Sequence, residues 1–169
     1  MKKMLSILCL FCLFAVNIFA NNEVEKIVKE IRKEFTNTNA EKKYTVKTIQ
    51  GEGDFYTEFY IKNKKIKKII FYYMSVSQDT VDEYYVKDDK IYFLYSTLKT
   101  HFLDDYGKEI KKAKLKEKRY YFDKNQELIR YIGPDKKIHN KGSIPEEYID
   151  DAENYKTILK EDFLKNKVI

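Results

Sequence analysis

Cysteine is confined to the start of this chain. Cys9 and Cys12 are the only two, so residues 21–169 hold neither a disulfide framework nor a cysteine nucleophile. Glycine is scarce too, with five residues. The close pair in "GEGDF" (51–55) is followed by no Gly-Lys-Ser/Thr and no third dinucleotide-type glycine, so it reads as a turn rather than a phosphate loop. The serines are Ser6, Ser75, Ser77, Ser96 and Ser143, and none stands in a Gly-x-Ser-x-Gly setting. Tryptophan is absent and there are two histidines, His101 and His139. In "THFLDDY" His101 lies three and four residues before Asp104 and Asp105, a spacing that only a helix would gather around a divalent ion. Zinc normally takes more nitrogen or sulfur ligands than that, so a hydrogen-bonded or exposed His101 is the expected state, and no metal or other cofactor is assigned.

What the chain does have begins with "MKKMLSILCLFCLFAVNIFA". Lys2 and Lys3 precede a nearly continuous apolar run from Met4 to Phe19, and small Ala20 stands before the polar "NNEVEK". That is the layout of a secretory signal peptide over 1–20, and the run is shorter than the roughly 20 apolar residues of a membrane span. Neither cysteine follows the small residue that lipid attachment needs. The expectation is one exported domain, 21–169, secreted or periplasmic and without stable membrane insertion after cleavage near Ala20. The formal charge is +6, or +4 once Lys2 and Lys3 are removed. An excess this small, spread over both signs, is not a nucleic-acid pattern.

Residues 22–35, "NEVEKIVKEIRKEF", place Val24, Ile27, Val28, Ile31 and Phe35 on one helical stripe. The mixed charges of the other face suit packing on a sheet better than lying on an anionic membrane. From residue 44 the period becomes two. "YTVKTIQ", "FYTEFYI", "IKKIIFYYM", "TVDEYYV", "IYFLYSTL", "KRYYF" and "ELIRYIG" read as strands rich in aromatic and β-branched residues. Residues 99–117 fit no single period and stay open between helix, polar strand and basic loop. Toward the end, Ser143, Pro145 and Glu146 form a helix-start signal, and Tyr148, Ala152, Tyr155, Leu159 and Phe163 an apolar face. The fold class implied is α+β: N- and C-terminal helices packed on a five- to seven-stranded antiparallel β-meander.

Three stretches repeat one plan: "EFYIKNKKIKKI" (58–69), "EYYVKDDKIYFL" (83–94) and "RYYFDKNQELIRYI" (119–132). Each has a charge, two aromatics and an apolar residue, then a polar turn and an aliphatic residue. Two-residue turns would pair Ile61 with Ile66, Phe59 with Lys68, Val86 with Ile91, Tyr85 with Tyr92 and Tyr84 with Phe93. The face with Ile61, Ile66, Tyr84, Val86, Ile91, Phe93, Phe122 and Leu128 is the expected core, covered by the helices. The reverse would carry Glu58, Tyr60, Lys67, Glu83, Tyr85, Tyr92, Arg119 and Tyr121.

"EYYVKDDKIYFLY" and "KRYYFDKNQELIRYI" resemble the strand-turn-strand units of small exported bacterial proteins of uncharacterised function that carry tyrosine-rich β-hairpin repeats. More distantly they resemble antitoxin-like and membrane-occupation hairpin-repeat proteins. Those units usually have glycine in the turn, where this chain has "NKK" and "DDK". The resemblance spans about residues 55–132, implies an antiparallel meander and carries over no catalytic residue.

The functional expectation is an exported, non-enzymatic binding or structural protein. The candidate binding residues are Tyr60, Tyr85, Tyr92, Arg119 and Tyr121 on the tyrosine-rich face, with Lys112, Lys114 and Lys116 from the basic run before it. Aromatic packing and charge pairing suit a protein partner or an anionic envelope polymer, and the export context argues against nucleic acid. The alternative is a small hydrolase-type enzyme with dispersed residues, using His101 with Asp104 or Asp105, or the matched carboxylates Glu58 and Glu83.

Overall fold

The computed structural model describes residues 22–51 and 53–165. The expected signal peptide, its cleavage site and both cysteines lie outside the described residues. Residues 22–40 form helix α1. Eight strands follow: β1 (Thr45–Gln50), β2 (Phe55–Lys62), β3 (Lys65–Met74), β4 (Gln78–Lys87), β5 (Lys90–Leu103), β6 (Glu109–Phe122), β7 (Leu128–Ile132) and β8 (Ile138–Asn140). Helix α2 (Glu146–Ile158) then runs into a π-helical segment, Leu159–Leu164. Each strand pairs antiparallel with its neighbour in sequence, in the order β1 to β8. The α+β class with terminal helices flanking an antiparallel sheet is thus observed. The eighth strand, Ile138–Asn140, is too short to display a period of two.

The two helices cover opposite faces of the sheet, rather than sharing one as the periodicity suggests. The reason is the aromatic doublets. Adjacent strand residues point to opposite faces, so Tyr84-Tyr85 and Tyr120-Tyr121 each send one ring either way. Both faces are therefore apolar, and each needs a cover. On the α2 face, Phe59, Ile69, Tyr84, Leu94, Tyr120 and Tyr131 pair successively across six strands and pack with Ala152, Leu159 and Phe163. On the α1 face, Tyr85, Phe93, Tyr121, Ile129 and Ile132 pack against Val28 and Ile31.

The repeated plan is a hairpin with a built-in bulge. Asn63-Lys64 and Asp88-Asp89 have positive φ at both positions, the geometry of a type I′ turn. The third copy uses the longer turn Asp123–Gln126, with Gln126 at φ 68° and the Asp123 side chain accepting the backbone N–H of Asn125 and Glu127. In all three the first aliphatic residue pairs as expected: Ile61 with Ile66, Val86 with Ile91, Phe122 with Leu128. The next residue, Lys67, Tyr92 or Ile129, is then an extra one in its strand. Tyr85 consequently faces Phe93 and Tyr84 faces Leu94, while Phe59 faces Ile69. The bulge corrects the expected register by one residue and moves Phe93 out of the α2-side core to lie beneath α1.

Residues 99–117 resolve as strand. β5 and β6 extend into a long hairpin whose tip is closed by Asp104, which accepts the backbone N–H of Tyr106 and Lys108, with Gly107 at φ 78°. Helix α1 continues past the expected stop, through "TNTNA". Its last-turn side chains have partners on the sheet: Thr38 meets the Tyr92 hydroxyl at 3.1 Å, and Asn39 donates to the Tyr85 hydroxyl at 3.0 Å. The expected Ser143 cap does not form. Ser143 donates its hydroxyl to the Asn140 carbonyl and closes the turn after β8, and α2 starts at Glu146 without a side-chain cap. Arg130, 2% exposed, ties helix to sheet by pairing with Glu25 of α1 and donating to Asn140 of β8 at 2.8 Å.

Candidate functional site

Tyr60, Tyr85, Tyr92 and Tyr121 do share the α1 face, but the fold does not present them as one exposed patch. Tyr85 and Tyr121 are buried, and Tyr60 and Tyr92 are half-buried. Phe35 of α1 packs on Tyr85 at 4.9 Å and on Phe93 at 5.3 Å, and Phe93 packs on Tyr121 at 4.9 Å. Burial, then the Glu83 carboxylate, pushes the Tyr85 phenol far up, and burial pushes Tyr92 up to about 12. Both stay neutral. Tyr60 donates to Glu58 at 2.8 Å and Tyr85 to Glu83 at 2.7 Å, while Lys68 sits 4.6 Å from the Tyr60 ring centre. Glu58 and Glu83, the matched carboxylates, thus each accept from the tyrosine two residues further along their own strand.

The third copy breaks that pattern, and a site opens there. Where the first two copies have Glu58 and Glu83, the third has Arg119, on the same face as Tyr121. Arg119 and Tyr121 border a groove of about 430 Å³ whose walls come from Arg32 and Phe35 of α1 and Tyr95 of β5. Its floor is Phe93, Tyr121, Ile31 and Ile132, all buried. Arg119 and Ile132 also line a second hollow of about 220 Å³, bounded by Leu115, Glu117 and the Gly133–Lys136 turn. That turn is closed by the Lys136 N–H donating to the Gly133 carbonyl at 2.9 Å, with Lys136 at φ 63°.

Arg119 borders both hollows, with Arg32 beside it in the apolar-floored groove and Lys136 in the neighbouring one, and among the described residues Glu117 is the carboxylate lining them. Glu117 accepts the Tyr95 hydroxyl at 2.6 Å and Arg119 at 3.0 Å, and the Arg119 guanidinium lies 5.5 Å from the Tyr95 ring centre. Burial, then that Glu117 hydrogen bond, raises the Tyr95 phenol. Arg119 is thus oriented by a carboxylate and a ring while about a third of its side chain stays exposed. Planar guanidinium groups held in this way are suited to binding carboxylates.

Lys112, Lys114 and Lys116 are exposed on the outer half of β6, away from the groove. Lys114 pairs with Thr100 and Lys116 with Leu98, so the fold spreads them along a strand instead of converging them. His101 takes Asp79 as its partner at 2.8 Å, with Glu109 at 3.8 Å, while Asp104 is committed to its turn. Among the described residues no group of three or more His, Cys, Asp or Glu is arranged to hold a metal ion. Sequence reasoning picked out Arg119 and Tyr121, but missed Arg32 and Lys136. The signal that could have found the place is the charge reversal at the head of the third repeat. The chain matches no family model, no curated protein and no solved structure.

Proposed function

We propose that this is an exported, non-enzymatic binding protein that takes an acidic segment of another protein in the α1-side groove. The observation carrying this reading is the placement of Arg32 and Arg119 around an apolar floor, with Lys136 in the hollow on the other side of Arg119. The cations supply partners for carboxylates, and Phe93 and Ile132 offer a seat for an apolar side chain between them. An anionic polymer without apolar groups would use the charge and leave the floor unfilled, so an acidic protein segment fits better. Export rests on the leader-like residues 1–20.

Because the chain has no tryptophan, the indole of an added peptide is a clean reporter. A peptide of glutamates and aspartates around one tryptophan should bind with a fluorescence change that weakens steeply with salt. Arg119→Gln and Lys136→Gln should each weaken it by about tenfold, equivalent to roughly 1.4 kcal/mol. An unchanged affinity in both variants would contradict the proposal. Tighter binding of heparin than of the peptide would replace the acidic protein with an anionic polymer.

A further inference from the structure

The opposite face of the sheet holds a second site that none of the groove residues touches. A cavity of about 570 Å³ lies on the α2 side between β1–β4 and the π-helical segment. Its walls are mainly apolar, with the rings of Phe55, Phe59, Phe71, Tyr84 and Phe163 among them. Among the described residues its polar lining side chains are Thr57, Tyr84, Asp82 and Asp162, and none is basic. Register explains the placement. Ile49, Thr57, Phe71 and Asp82 pair successively across β1 to β4, and the row continues through Ser96 to Lys118.

Asp82 is the unusual member of this row. It is 7% exposed, and its Oδ1 has no hydrogen-bond partner among the described residues. A carboxyl left in that state is costly unless something satisfies it. The nearest cation along the row, Lys118, is paired with Asp151 at 2.9 Å, and the Tyr155 hydroxyl reaches Ser96 at 3.5 Å. The π-helical segment supplies both Asp162 and Phe163 to the cavity, and such irregular helix turns occur frequently at functional sites.

We infer that this cavity binds a small organic cation, an amine with an aromatic or alkyl body, whose ammonium group pairs with Asp82. The volume lies within the range of small-molecule pockets. The aromatic walls favour a cation through their ring faces as well as an apolar body through burial. Among the described residues the lining has two carboxyl side chains and no basic one, so an anion of the same shape is disfavoured. The site is independent of the groove and can stand if the acidic-partner reading fails.

Calorimetric titration of the protein with 2-phenylethylamine, 2-phenylethanol and 3-phenylpropionate separates these terms, because the three share a ring and differ in charge. The amine should bind about tenfold more tightly than the alcohol, and the propionate should give no binding. Asp82 is raised to about 6 by burial, opposed by the Ser96 hydroxyl and the Lys118 charge, with Asp151 reinforcing the rise. Amine affinity should therefore fall by about tenfold between about pH 7.5 and pH 5, as Asp82 takes up a proton. Tyr84 and Tyr155 stay neutral across that range, their phenols raised by burial first and by Asp82 next. Asp82→Asn should erase the preference for amine over alcohol, and Asp162→Asn should reduce it less. Equal binding of amine and alcohol, binding of the propionate, or no amine binding overturns the inference using the unmodified protein alone. A folded Asp82→Asn protein that keeps the amine preference overturns it too.

Discussion

Asp82 and Glu25 show how single side chains set opposite pH signatures in this fold. Burial raises the Asp82 carboxyl from 3.8 to about 6, so the folded protein holds its proton more tightly than the unfolded chain does. Stability therefore falls as pH climbs from about 4 to 6, and the loss is complete above that range. At roughly 1.4 kcal/mol per pH unit, the full penalty is of order 2–3 kcal/mol. Asp82→Asn should accordingly raise stability at neutral pH by up to about 2 kcal/mol and change it little near pH 3.5, as denaturant titrations at the two pH values would show. A side chain whose replacement stabilises a fold is commonly kept for binding. Glu25 runs the other way. The Arg130 hydrogen bond holds its carboxyl below 4.5, so its contribution is present above that value and lost on further acidification. Glu25→Ala would leave Arg130 buried with Asn140 as its side-chain hydrogen-bond partner among the described residues. It should cost about 2 kcal/mol in chemical denaturation, less than a fully buried pair because the Glu25 side chain is itself 61% exposed. Neither role was legible in the sequence. Asp82 reads there as an ordinary charge in "TVDEYYV", and Arg130 meets Glu25 only when α1 lies across β7.

At the scale of elements, the hairpin plan was legible because its parts are local. The aromatic doublets, the polar turn and the following aliphatic residue lie within a dozen residues, and the turn pairs Ile61–Ile66 and Val86–Ile91 formed as periodicity implies. The bulge after Ile66, Ile91 and Leu128 was not legible, since it needs no special residue and shows only in the backbone. Residues 99–117 were ambiguous for a related reason. Most of the outer part of β6 is solvated, so no apolar alternation marks it as strand. The turns also store strain. Asp89 sits at φ 59°, a region glycine reaches without a Cβ penalty. Asp89→Gly creates the favoured Asp-Gly turn and leaves Asp88 free to keep its 3.0 Å pair with Lys65. The substitution should raise stability by about 0.5–1 kcal/mol, read as a higher denaturation midpoint with an unchanged slope.

For the whole molecule, the decisive feature is a meander with two apolar faces and a helix on each. The α2 face is filled except over β1–β4, where the cavity lies. The α1 face is sealed over Tyr85 and open beside Arg119 and Tyr121. The tyrosines that first suggest a binding surface are therefore largely packing residues, and the proposed partner site is the groove at the edge of their cover. Arg119 was recognisable from the local charge run. Arg32 and Lys136 were not, because only the docking of α1 and the turn after β7 brings them to either side of Arg119. The most direct test of an acidic partner in that groove is a backbone-amide NMR titration of the protein with the tryptophan-centred acidic peptide. The account predicts shifts concentrated at Arg32, Phe93, Arg119, Ile132 and Lys136. Shifts concentrated at Lys112–Lys116, or scattered over the surface lysines without a centre, would contradict it.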